Sequence, residues 1–310
     1  MEPLAAARAS LVGLAVGDAF GAMLDGFGPD FARRAAVRLI SRFRPWRWTD
    51  DTAMALSIFE QLAERGTIDP DALAAAFVAR FAEDPERGYG AGAYSLLSRV
   101  RLGGSWREEA RALFRGKGSY GNGAAMRAAP IGAYFAPDLE RVRDEALRSA
   151  EPTHAHPDGA AGAVAVAIAA ALARTRAVPR DAMLTEVIRW TPDGQTRERL
   201  RRADQLGLGF DVQLAGEELG TGSNITSQDT VPFSIWVAAR HLDSYEEAMW
   251  TATAHPGIEL ATNPLALFAV DRDTVGAIVG GIVACATGID GIPILWREAT
   301  EKLPVTASRA

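Results

Sequence analysis

Cysteine is nearly absent from this chain: Cys285 stands alone among 310 residues. A single thiol excludes an intramolecular disulfide framework and any zinc site built from several cysteines. Its place in the apolar run 279–286 marks it as an inert core thiol. Lysine is also scarce, with only Lys117 and Lys302 among 33 basic residues, an arginine bias that points to GC-rich coding rather than to chemistry. The net charge of −6 excludes a large basic face for wrapping DNA or RNA, so no extended nucleic-acid-binding surface is expected. Long apolar runs are missing too. The longest, 160–173 and 275–286, are rich in Ala and Gly and fall short of the roughly 20 residues that span a bilayer. Glu2 and the lack of a basic n-region argue against a signal peptide. A soluble, cytoplasmic protein with no membrane contact is the expectation.

What the chain has in excess is small side chains, 59 alanines and 30 glycines. Alanine favours helix and is depleted in strands, so this composition predicts helices packed backbone against backbone. Apolar residues spaced three and four apart predict helices over 4–22, 51–65, 70–81, 91–100, 124–135 and 139–150. The same spacing predicts further helices over 159–174, 181–190, 195–206, 231–241, 245–254 and 274–287. Thr67-Ile68-Asp69-Pro70 and Ser244-Tyr245-Glu246-Glu247 read as capped helix starts. No alternating β-branched run reads as a strand, and no repeat or linker divides the chain. The expected fold class is all-α, a compact multi-helix bundle with residues 1–310 as a single domain.

Three glycine-bearing loops interrupt the helices: 88–92 (GYGAG), 116–123 (GKGSYGNG) and 219–229 (LGTGSNITSQD). Glycine lets backbone N–H groups approach an anion, and a helix N-terminus beyond each loop suits phosphate. An ordinary turn is the alternative for each. Thr49-Asp50-Asp51-Thr52 and Asp271-Arg272-Asp273-Thr274 each open an apolar helix. One cap per helix suffices, and crowding four carboxylates is costly unless positive charge compensates. If the two helix starts converge, Thr49, Asp50, Asp51, Asp271, Asp273 and Thr274 present only oxygen, a shell for hard divalent cations. A pair of acids in each cluster suits a two-metal site; helix capping remains the alternative. His154 and His156 in Thr-His-Ala-His-Pro cap, pack or bind metal, with ligand contact by His154 the leading functional reading.

Six words in order then resemble one family, the ADP-ribosylglycohydrolases, which include the dinitrogenase-reductase-activating glycohydrolase and the ADP-ribosyl-acceptor hydrolases. They are 13–22 (GLAVGDAFGA), Thr49-Asp50-Asp51-Thr52, 88–92, 118–127 (GSYGNGAAMR), Thr153-His154 and Asp271-Arg272-Asp273-Thr274. The resemblance implies two Mg²⁺ or Mn²⁺ ions at the base of a cleft. Thr49, Asp50 and Asp51 would hold one side, and Asp271, Asp273 and Thr274 the other, with Asp273 bridging. Gly90 and Gly92 would contact a diphosphate. Ser119, Tyr120, Asn122, Gly123 and Met126 would line the distal ribose and diphosphate, with His154 beside them. The implied reaction is hydrolysis at the anomeric carbon of the distal ribose, releasing ADP-ribose from an ADP-ribosylated protein, nucleic acid or small molecule. Asp25 and Asp51 are the implied catalytic carboxylates. Asp25 stands where relatives often carry a mobile glutamate, one methylene longer.

The chain departs from that pattern in several places. Ala269-Val270 replace a common Gly-Gly, and 255–270 is longer and more apolar than the usual connection. Arg272, between two acids, is expected either to neutralise part of the site or to point to solvent. These departures keep two alternatives open, an ADP-ribose-binding module without turnover and a structural, crystallin-like relative. Acceptor specificity is assigned to the loops around 20–47 and 207–230.

Overall fold

Small residues set the architecture of this chain. The computed structural model describes residues 2–27, 30–254 and 270–304, and among these it forms sixteen α-helices and no strand. The first eight are α1 (Pro3–Asp25), α2 (Phe31–Ala36), α3 (Asp50–Arg65), α4 (Pro70–Glu83), α5 (Ala91–Arg101), α6 (Trp106–Gly116), α7 (Ala129–Phe135) and α8 (Leu139–Ala150). The rest are α9 (Pro157–Thr175), α10 (Met183–Trp190), α11 (Gln195–Leu206), α12 (Val212–Leu219), α13 (Ser227–Arg240), α14 (Tyr245–Thr253), α15 (Arg272–Thr287) and α16 (Ile294–Ala299).

Two features position the site. Helix α9 is buried without interruption from Ala161 to Ala173, because its Ala, Val, Ile and Leu side chains leave no polar face. Helices α1 and α15 run against each other on glycines four residues apart. A methyl group at Gly17 would strike the carbonyl of Gly276, and one at Gly280 the carbonyl of Gly13. The two backbones therefore touch, as the small-residue excess predicts. Polar groups in this seam are satisfied: Ser10 donates to the Gly281 carbonyl (2.9 Å) and the Tyr245 hydroxyl to the Gly13 carbonyl (2.6 Å). By length and composition α1 and α9 resemble membrane spans, with mean hydropathy 1.3, yet 78% of each apolar window is buried inside the protein. Ser10 and Asp18 break the apolar run of α1 in the sequence, so the run understates how apolar this helix is.

Most predicted helices are present, with instructive shifts. The helix predicted over 124–135 begins only at Ala129. Asn122–Ala124 form a 3₁₀ turn before it, and Pro130 belongs to a first helical turn, where its missing N–H is harmless. Helix α13 extends back to Ser227 and accommodates Pro232. The unpredicted α2, α6, α12 and α16 are short. Of these α6 does carry an apolar stripe, Trp106, Ala110, Leu113 and Phe114, which the sequence reading passed over, although only Ala110 is buried. Asp69 and Ser244 cap α4 and α14 as expected. Cys285 donates to the Gly281 carbonyl within α15, and burial pushes its thiol up to about 12, well away from thiolate reactivity. The unusual connection 255–269, Ala269 included, lies outside the described residues.

Candidate active site

The site is organised by a carboxylate that the motif reading left without a role. Asp18, fully buried in the middle of α1, accepts the Thr49 N–H at both oxygens (3.0 Å), the Thr52 N–H (3.1 Å) and the Thr52 hydroxyl (2.6 Å). A side chain of α1 thus satisfies the free N–H groups at the start of α3, where Thr49 is the N-cap residue. Asp50 and Asp51 are thereby released from capping. The Thr49 hydroxyl donates to Asp51 Oδ2 (3.1 Å), while Asp51 Oδ1 is buried without a partner. At the start of α15, Asp271 occupies the N-cap position but accepts no backbone N–H from its own helix. Its Oδ2 instead takes the Asn122 amide (2.6 Å), whose other proton goes to the Thr230 hydroxyl (3.0 Å). The capping alternative therefore holds for Thr49 and fails for Asp271.

These carboxyl groups repel one another. Burial first, and the charge of Asp273 second, push Asp50, Asp51 and Asp271 well above the usual carboxylate range and Asp18 up to about 7. Among the described residues no three Asp, Glu, His or Cys side chains converge as a ready-made cage. The donor set nevertheless fits a hard divalent cation. It is oxygen only, its charges lack compensation, and Asp51 keeps an orphaned buried oxygen.

A cleft of about 610 Å³ brings most of the candidate residues together. Asp50, Asp51, Asp271, Asp273 and Thr274 line it, with Gly90, Gly92, Ser119, Tyr120, Asn122, Gly123, Met126 and His154. Thr49 and Asp25 do not. Gly90 caps α5 without a side-chain bond, and a Cβ there would meet nothing within 4 Å. The protein's own packing does not require glycine at this position, while the first N–H groups of α5 stay open to an anion. The loop 219–229 lines the same cleft through Asn224, Ile225 and Thr226 and also holds the other elements in place. The Thr221 carbonyl accepts the Asp271 N–H (3.0 Å), and the Tyr120 carbonyl accepts the Ser227 N–H (3.0 Å). Phe114, which sequence reasoning missed, lines the cleft 6.0 Å from the Tyr120 ring. Its φ of 51° and that of Arg115 at 62° are strained for such side chains, a departure that tends to mark ligand-contacting backbone.

A second missed residue, Arg127, governs His154. Its fully buried guanidinium donates to the Ser149 carbonyl (2.9 Å) and to Thr153 Oγ1 (2.8 Å). Thr153 Oγ1 lies 2.7 Å from His154 Nδ1. Burial, with Arg127 nearby, pulls His154 down to about 3, so the ring is neutral. His156 instead caps α9, its Nδ1 accepting the Asp158 N–H (3.1 Å).

Comparison with known proteins decides the family. The ADP-ribosylglycohydrolase family profile matches residues 1–309. The chain belongs to the ADP-ribosylglycohydrolase family. It is 29% identical over 282 residues to ADP-ribosylhydrolase ARH3 of Homo sapiens, across 82% of this chain and 74% of that protein. It is 26% identical over 320 residues to ADP-ribosylarginine hydrolase Tri1 of Serratia proteamaculans, across 96% and 75%. A solved structure, an ADP-ribosylglycohydrolase-related protein complex, matches with TM-score 0.65 and 25% identity over 97% of this chain and 93% of that one. The all-α fold expected from the sequence is the fold of this family member.

Arg272 corrects one expectation about this ADP-ribosylglycohydrolase. It does not point to solvent; it turns from the acidic cleft and neutralises the candidate carboxylate Asp25. At 1% exposure it is buried, donating to the Thr253 carbonyl (3.1 Å) and to Asp25 Oδ1 (2.8 Å), with its guanidinium 4.0 Å from the Phe31 ring centre. The physical reason is alternation at the helix start. Asp271 and Asp273 turn to the cleft while the intervening side chain turns to the end of α1. Burial raises Asp25 to about 6 against the opposing pull of Arg272.

Proposed function

We propose that this family member is a metal-dependent ADP-ribosyl hydrolase that cleaves the glycosidic bond between ADP-ribose and an acceptor and releases ADP-ribose. The observation that carries the reading is one cleft lined both by two oxygen-only acidic helix starts and by two glycine loops. Thr49, Asp50 and Asp51 would hold one side of a pair of Mg²⁺ or Mn²⁺ ions, and Asp271, Asp273 and Thr274 the other, with Asp273 shared. Bound there, the ions supply Lewis acidity toward the ribose hydroxyls and acidify water. The N–H groups around Gly90 and Gly92 receive the diphosphate, and Ser119, Tyr120, Gly123 and Met126 shape the space beside it. Asn122 lines that space while its amide holds Asp271. Neutral His154 donates a hydrogen bond to the ligand. Positive charge develops on the ribose ring as the acceptor leaves, and the carboxylates facing it stabilise that charge. Asp25, raised to about 6, is the proposed base; it stands outside the cleft lining and paired with Arg272, so to take a proton from the attacking water it must swing from Arg272 into the cleft. Asp51 is the second carboxylate of the proposed catalytic set, and its unpartnered Oδ1 is the oxygen it would offer to the metal.

The test is ADP-ribose release by purified protein with Mg²⁺ or Mn²⁺ from arginine-, serine- and nucleobase-linked substrates. No release from any of them, with metal measured in the protein, overturns the reading. Asp50→Ala and Asp273→Ala should lose metal by elemental analysis, and unchanged content would refute the ligand assignment. The Asp25–Arg272 ion pair favours a second reading, a module that binds ADP-ribose without turnover, because it occupies one oxygen of the base. Asp25→Ala separates the two. In the hydrolase, kcat falls by about a hundredfold or more with ADP-ribose affinity unchanged. In the module the unmodified protein already binds without release. A purely structural, crystallin-like role has no use for the retained acidic set.

A further inference from the structure

The net charge of −6 conceals a strongly basic arm. Residues 31–48 contain Arg33, Arg34, Arg38, Arg42, Arg44 and Arg47 and no acidic residue. Carboxylates outside the arm answer four of them. Asp30 meets Arg33 and Arg34, Glu247 meets Arg38 at 2.6 and 2.7 Å, and Asp84 meets Arg47 at 2.9 Å. Arg42 and Arg44 have no such partner among the described residues; both are exposed, and Phe43 between them is 90% exposed. An arm this polar stays in place because its roots are fixed. Phe31 lies under Arg272, and the Ser41 N–H reaches Met23 Sδ (3.4 Å) in the last turn of α1. Buried Trp46 exchanges backbone bonds with the chain at Ala299 (2.7 Å) and Glu301 (2.8 Å). The arm therefore leaves the end of α1 that carries Asp25, passes back beside that turn, and re-enters at Thr49. Two of its roots thus sit at the end of α1 that carries Asp25, whereas the loops that would receive the diphosphate come from 88–92 and 116–123.

We propose that Arg42, Phe43 and Arg44 form an acceptor-side docking surface for single-stranded nucleic acid that bears the ADP-ribose. The cargo rests on the hydrolase reading; binding of the strand does not. Guanidinium groups pair with phosphate through two parallel hydrogen bonds, and among the described residues no carboxylate compensates these two. Phe43 decides between a nucleic acid and an acidic peptide. An exposed ring between two cations gives any base a face to stack on, and an acidic peptide has no use for it.

The test measures fluorescence anisotropy of a bare, labelled single strand of ~10 nucleotides against a polyglutamate peptide, across a salt series. The protein should bind the strand and not the peptide. In Arg42→Ala/Arg44→Ala the slope of log affinity against log salt should shrink by about 1.4, two phosphate contacts' worth on a single strand. Phe43→Ala should weaken binding about tenfold, as loss of one stacked base does. These exposed loop substitutions should leave ADP-ribose release from an ADP-ribosylated arginine unchanged while lowering kcat/KM on an ADP-ribosylated oligonucleotide. Equal binding of polyglutamate, unchanged strand binding in both variants, or an equal loss on both substrates overturns the proposal. Strand binding that behaves as expected in a protein releasing no ADP-ribose sustains the surface and removes only the hydrolase reading.

Discussion

Thr153 has one hydroxyl proton, and its neighbours decide where it goes. Arg127 fills one lone pair of the oxygen, and in the tautomer where the Thr153 proton turns to His154 Nδ1, Nε2 is the protonated nitrogen. Gly121 and Gly123 both lie against the Nε2 side of this ring. In that tautomer the ring is a donor toward the loop that lines the cleft. Thr153→Val removes the relay at nearly constant volume. ADP-ribose affinity by calorimetry should weaken about tenfold, the scale of one hydrogen bond left unmade, and Thr153→Ser should restore it. Equal affinity in the valine variant would show that the relay positions nothing. The Thr-His word was legible in the sequence, and the structure puts His154 in the lining of the cleft. Arg127 was not legible, because only the folded turn after Asn122 carries it to Thr153.

At the scale of elements, two glycines that look alike in sequence have opposite tasks. Gly17 is where α1 touches α15, and a methyl group there meets backbone that cannot yield. Gly90 faces open cleft. Gly17→Ala should destabilise the fold by about 1–3 kcal/mol, as overpacking does, read from denaturant midpoints. Gly90→Ala should leave that midpoint within about 0.5 kcal/mol and weaken ADP-ribose binding instead. A stable Gly17→Ala protein would refute the backbone seam, and an unaltered affinity in Gly90→Ala would refute the anion role. Helical periodicity located α1, α3, α9 and α15 because each buries a long apolar face. It passed over α16, whose six residues are too few to leave a pattern, and α6, whose stripe from Trp106 to Phe114 ends in non-helical backbone at 113–115. It also read Pro130 as interior to a longer helix, although Pro130 belongs to a first turn.

For the whole molecule, the acidic cluster sets the dependence of stability on pH. Asp18 rises from 3.8 to about 7 on folding, and Asp50, Asp51 and Asp271 rise with it. The folded protein therefore binds these protons more tightly than the unfolded chain. The associated stability is present below 3.8 and is lost as pH rises through about 7. Metal-stripped protein should melt at progressively lower temperature between those pH values. Mg²⁺ or Mn²⁺ should raise the melting temperature most at the alkaline end, where the carboxylates are charged. A melting temperature flat across the window in chelator would contradict this. The sequence by itself determined the helical class, through alanine and apolar spacing, and the acidic and glycine words, through local chemistry that any fold would have to accommodate. Only the tertiary structure decided which carboxylate caps and which faces the cleft. It also turned Arg272 onto Asp25 and raised an arginine arm beside them. Capping, burial and charge pairing depend on which distant residue arrives next to a group, and spacing along the chain does not contain that.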